Sequence, residues 1–314
     1  MRARPETGKD LRVVIPIHDK NPVRRTPYVT YLLIALNFAV FLIGPSAAIA
    51  GTPTVARACA EQRYFVEHGA IPHELVTNHQ LSPAQEPQIA VSTQAGPVYC
   101  SLGALPHKVP FVSVLTAMFI HAGWLHLLGN MLFLYVFGNN VEDRLGRLHY
   151  LLFYICGGYL ATYAFAMVNS ASTLPLVGAS GAIATVLGAY LFMFPKARVT
   201  SLVPVLFFLP LRFPAWLVLG SWFILQLPSI QHLLGVPTDD TVAYVAHVAG
   251  FVAGFAYTVL VSGRNGRGTP PPRSRQSHVP APPLPPRWPP PGPYDQGPYD
   301  PRFPYPGDYQ PPKR

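Results

Sequence analysis

Six stretches of this chain are so long and so apolar that they leave few folds open: residues 28–47, 122–141, 149–168, 176–194, 214–234 and 241–262. A helix needs about 20 mostly apolar residues to cross a bilayer core, and in lipid only helices or closed barrels can pair all their backbone groups. The reading is an all-α polytopic membrane protein with six transmembrane helices. The apolar run 202–211 is too short to span; it reads as interfacial, or as an extension of the fifth span interrupted at 212–214. Composition agrees. Charged residues make up 12% of the chain and hydrophobic ones 50%, whereas soluble domains carry about 25% charged residues. An ordinary soluble enzyme and a disordered protein are both excluded. Three cysteines in 314 residues exclude a disulfide-built scaffold.

The net charge of +9 resides in the tails. Residues 1–27 hold seven Lys/Arg and three Asp/Glu, residues 28–262 eight of each, and residues 263–314 eight and three. A nucleic-acid partner is not expected, since the basic face it requires is missing from the body. Basic residues mark cytoplasmic segments. With the N-terminal segment 1–27 inside and six spans alternating, Arg144, Arg147, Lys196, Arg198 and Arg212 fall inside with the C-terminal tail. The expected location is the cell membrane, multi-pass, with both termini cytoplasmic. Ala48-Ile49-Ala50 resembles a signal cleavage site, but 27 polar residues precede the first span, which reads as retained.

The outside loop 48–110 holds Cys59 and Cys100. An oxidising exterior would let them pair; two free thiols is the other reading. Cys156, inside the third span, reads as a small core residue. The tail 263–314 holds 18 of the 37 prolines, so it is expected to be disordered with polyproline II character. It serves either as a basic tether or as a ligand for proline-binding partners.

Polar groups inside spans are costly and mark function by default. His126 lies four residues into the second span, Ser180 four into the fourth and His247 six into the sixth. At a rise of 1.5 Å per residue these depths are about 6, 6 and 9 Å, all measured from outward-facing ends. Asn130 shares a helix face with His126. Ser180 lies among small residues, Gly178 and Gly181, that let a backbone or substrate approach closely. His247 shares a face with Gly250 and Gly254, a small-residue surface for helix packing. Each feature alone fits ordinary packing. Together they supply a nucleophile with a base and donors for an oxyanion. Asp and Glu are absent from the spans except at their ends, where Glu142 and Asp143 lie on the cytoplasmic side, so the catalytic set would be a Ser–His dyad. His121, His126 and His247 as metal ligands would lack a carboxylate or thiolate and put His121 on the wrong face.

Four segments in order, His121-Ala-Gly-Trp-Leu-His126-Leu-Leu-Gly-Asn130, Glu142-Asp-Arg144-Leu-Gly146, Gly178-Ala-Ser180-Gly181 and Ala246-His247-Val-Ala-Gly250-Phe-Val-Ala-Gly254, resemble the rhomboid intramembrane serine proteases of the bacterial six-span type. The resemblance covers roughly 12–262. It implies that Ser180 is the nucleophile and His247 the general base, with His126, Asn130 and the Ser180 backbone N–H forming the oxyanion hole. It implies a structural role for Glu142 and Arg144, single-span membrane proteins as substrates, and no metal or organic cofactor. Two positions depart from the family pattern: Val109–Val114 stands where many members carry Trp-Arg, and Ala184 stands where some carry a Tyr that stacks on the base. The competing reading is a catalytically inactive rhomboid-like protein that binds membrane clients. A transporter with a histidine relay would show mid-membrane acids or discontinuous repeats, and the sequence shows neither.

Overall fold

Helices carry most of the described residues in the computed structural model, which describes residues 15–47, 54–82, 85, 90–93, 96–100, 105–203, 208–227 and 243–264. Residues 265–314 of the proline-rich tail, the first 14 residues and residues 228–234 of the predicted fifth span lie outside the described residues. In chain order, β1 is Ile15–Asp19, α1 Tyr28–Ile43, α2 Val55–His68, α3 Pro72–Thr77, β2 Ala90–Thr93, β3 Gly96–Tyr99, α4 Pro110–Ala117 and α5 Trp124–Phe133. A π-helical turn, Leu134–Gly138, joins α5 to α6, Asn139–Leu145. There follow α7 Arg147–Val168, α8 Ser180–Met193, β4 Arg198–Val203, β5 Leu209–Pro214, α9 Ala215–Ile224 and α10 Tyr244–Arg264.

The helix α8 is the axis of the bundle. All nine residues Ala182–Tyr190 are buried, which is how a helix apolar on every side must sit. By length and composition, α7 and Tyr244–Val261 of α10 can cross a membrane; α1, α8 and α9 are shorter apolar helices. The bundle's rim exposes Leu36 and Leu42 of α1, Leu152, Leu160 and Met167 of α7, and Val252 and Leu260 of α10. So broad an apolar surface calls for a non-aqueous neighbour.

The fold is not purely helical. The strands β1, β4 and β5 form an antiparallel sheet in that order, with Ile15 opposite Leu202 and Arg198 opposite Pro214. Of the run 202–211, read above as interfacial or as an extension of the fifth span, residues 202–203 and 209–211 lie in the paired strands β4 and β5, so they do not extend the fifth span as a helix. Short apolar runs look alike as strand or helix; here Pro210 sits in an edge strand, where its missing N–H costs no ladder bond. Asp19 at the end of β1 docks this sheet on the bundle, accepting from Asn140 Nδ2 and Tyr190 O–H, each at 2.7 Å. Burial raises the Asp19 carboxyl above its usual range, and the Tyr190 bond opposes that rise.

The loop 48–110 is also structured where described. Its Cys59 and Cys100 are joined, with Cα atoms 5.3 Å apart, tying α2 to the end of the β2–β3 hairpin. Lys108 caps the C-terminal end of α2, donating to Val66 O at 2.7 Å, and pairs with buried Glu74 at 2.6 Å. Burial lowers the Lys108 ammonium, an effect Glu74 partly offsets. This lobe is latched to the segment before α8 through Ala70–Leu176 pairing and the bond from His73 N–H to Ser172 O at 3.0 Å. For that reason the fourth apolar stretch, expected to be helical from 176, becomes helical only at Ser180.

Candidate active site

The start of α8 is set by Gly178. Its φ of +123° suits only glycine, and a Cβ there would lie 2.8 Å from Cε1 and Nε2 of His126. The chain turns at this point, Gly178 N–H donates to Ala117 O at 2.9 Å, and Ser180 opens the helix. The first N–H groups of a helix have no partner within it and carry the positive end of its dipole. Ser180 therefore stands beside free backbone donors.

His247 reaches Ser180 because α8 and α10 pack backbone to backbone. A Cβ at Gly250 would overlap Gly181 O, one at Gly254 would overlap Thr185 O, and one at Gly188 would overlap Phe251 O. This approach puts His247 Nε2 2.8 Å from Ser180 Oγ. On the other side of the ring, Nδ1 is 2.7 Å from Gln226 Oε1. Gln226 lies in the turn after α9 and donates through its own Nε2 to Trp222 O at 3.2 Å. The indole of Trp222 flanks the imidazole at 6.0 Å between centroids, and Tyr244 meets it edge-on at 6.5 Å.

The helix α5 closes the third side. His126 Nδ1 faces Ala122 N–H at 3.5 Å, the long limit of a hydrogen bond, and its ring meets Gly178 and, edge-on, His121. Asn130 Nδ2 is buried and has no acceptor among the described residues; it lies 3.8 Å from the position of a Gly178 Cβ. Ser180, His247, His126, Asn130, Gly178 and Gly181 are thus brought together. A hydroxyl on an imidazole, a helix N-terminus and an unused buried amide suit acyl transfer, in which a hydroxyl attacks a carbonyl and an anionic oxygen develops.

Glu142 and Arg144 lie away from this cluster and serve different neighbours. The buried Glu142 carboxylate accepts from Val29 N–H at 3.0 Å, Thr30 N–H at 2.7 Å and Thr30 Oγ1 at 2.8 Å, so it caps α1. The Arg144 guanidinium lies 5.6 Å over the Phe194 ring, at the end of α8. Cys59 and Cys100 belong to the lobe. Among the described residues no group of three or more His, Cys, Asp or Glu is placed to hold a metal ion. Sequence reasoning missed Gln226. Its one signal was a polar amide within the apolar stretch 214–234, and nothing in the spacing links it to His247.

A rhomboid domain family model matches residues 110–264, which include every residue of the cluster. Over 262 residues the chain is 29% identical to "Rhomboid-like protease 5" of Toxoplasma gondii, spanning 78% of this chain and 28% of that protein. It is 37% identical over 84 residues to "Putative rhomboid protease YdcA" of Bacillus subtilis, 26% of this chain and 40% of the relative. It is 32% identical over 104 residues to "Presenilin-associated rhomboid-like protein A, mitochondrial" of Danio rerio, 32% of this chain and 27% of the relative. The chain therefore spans less than half the length of these curated relatives.

Proposed function

The chain is a rhomboid-family protein, and so a membrane protein; from that premise we propose that it is an intramembrane serine endopeptidase. The observation that carries the reading is the 2.8 Å contact between Ser180 Oγ and His247 Nε2. In this reading six spans, formed by α1, the α5–α6 run, α7, α8, the segment begun by α9, and α10, cross the cell membrane with both termini cytoplasmic. The site then opens near the outer face.

Ser180 Oγ attacks the scissile carbonyl carbon as His247 Nε2 takes its proton. The oxyanion of the tetrahedral intermediate is bound by the Ser180 N–H, Asn130 Nδ2 and His126. His247 returns the proton to the departing amine, leaving an acyl-serine, and a water activated by the same nitrogen then releases the acid. The substrates are single-span membrane proteins whose helix unwinds near its outer end. Unwinding strands backbone groups in lipid, so small or helix-breaking residues are favoured at the cut.

The test is labelling of the detergent-solubilised protein with a serine-directed fluorophosphonate, read by mass spectrometry beside Ser180→Ala and His247→Ala. The expected result is a tag on Ser180 that disappears in both variants. A folded protein that takes no tag would instead favour a client-binding role without catalysis.

A further inference from the structure

We propose that Gln226 is a positioning residue for the base, completing a Ser180–His247–Gln226 relay in which a neutral amide orients the imidazole. The inference rests on the protease reading and deepens it. Its ground is a chain of three hydrogen bonds whose directions are mutually fixed. Gln226 is 8% exposed. Its amide nitrogen can only donate, and it does so to Trp222 O at 3.2 Å. That assignment turns the amide oxygen toward His247 Nδ1 at 2.7 Å. An amide oxygen can only accept, so Nδ1 carries the proton and Nε2 keeps its lone pair. Nε2 is the nitrogen 2.8 Å from Ser180 Oγ, and it must be unprotonated to take the serine proton.

The neutral ring has two tautomers, and the bond partner of one nitrogen decides which is present. With Gln226 in place the ring is held in the tautomer that can act as a base. The neighbouring aromatics, Trp222 at 6.0 Å and Tyr244 at 6.5 Å, wall the ring but offer Nδ1 no acceptor. A carboxylate in the place of Gln226 would be an unneutralised charge within an apolar bundle, costly to bury. An amide gives the same direction without that cost. Among the described residues, the other polar and titratable groups around the imidazole are Ser180 of α8, Tyr244 of α10 itself and His126 of α5.

The experiment compares the full chain with Gln226→Met and Gln226→Glu in liposomes, using a single-span substrate and the fluorophosphonate labelling rate. Met keeps the length of the side chain and removes the acceptor. The expected result for Q226M is a kcat lowered about 10- to 100-fold, less than the roughly 100- to 10,000-fold that loss of a general base costs, because His247 itself remains, with KM and thermal unfolding little changed. Q226E restores an acceptor and is expected to recover labelling above neutral pH. Its pH–rate profile should have its acid limb moved to higher pH, because a carboxylate beside Nδ1 favours the imidazolium. A purely structural Gln226 would lower stability and leave the pH profile of the remaining activity in place. The inference is overturned if Q226M matches the parent in kcat, or if Q226E has the parent's acid limb. Both outcomes are read against an active parent. An inactive parent would overturn the protease reading first, and the inference with it.

Discussion

A buried donor without an acceptor costs a folded protein about 1–3 kcal/mol, and Asn130 Nδ2 is in that position. In the proposed mechanism that burden in the resting protein becomes an asset when an anionic oxygen arrives. Asn130→Ala is therefore expected to lower kcat about 10- to 1000-fold, the scale of one lost oxyanion donor, without lowering the thermal midpoint in detergent. An unchanged rate would reduce Asn130 to packing. At this scale the sequence was informative for a physical reason: Ser180, His247, His126 and Asn130 are polar groups in apolar stretches, where a polar group needs a purpose. Gln226 had the same property and was passed over. Its partner lies 21 positions away on another helix, and the stretch from 228 between them has no pattern that fixes how α9 faces α10.

At the scale of the element, the decisive feature is the glycine-lined crossing of α8 and α10. Gly254→Ala places a methyl on Thr185 O and must push the two helices apart. It is expected to destabilise by about 1–3 kcal/mol, as overpacking does, and to reduce cleavage by separating Ser180 from His247. Gly220→Ala in α9 is the control. A Cβ there meets nothing within 4 Å, and exchanging a mid-helix glycine for alanine stabilises by about 0.5–1 kcal/mol. Thermal unfolding of both variants in detergent checks the pair; equal shifts would remove the packing argument. The existence of α1, α5–α6, α7 and α10 was readable from apolar length alone. The start of α8 was not, because the lobe's strand-like pairing at Leu176 depends on residue 70, more than a hundred positions earlier. The sheet escaped for the same reason: β4 and β5 are adjacent, but β1 is about 180 residues away from its partner.

For the molecule as a whole, every residue of the candidate site falls within the unit Met1–Arg267. Deleting 265–314 is accordingly expected to leave proteolysis of a reconstituted substrate in liposomes within about twofold of the full chain; a large loss would make the tail part of the enzyme. The tail's composition was plain in the sequence, whereas the elements described within the 48–110 region were not, because its helices are short and its clasp is a single cysteine pair. One other long-range tie has a consequence in time. The helix α1 follows Pro27, which offers it no side-chain cap, and its Val29 and Thr30 amides are satisfied by Glu142, 113 and 112 positions later. In a chain made from its N-terminus, α1 thus exists long before the residue that caps it. Until α6 emerges, those amides must borrow other partners, and the arrival of Glu142 is the event that fastens the start of α1 to α6.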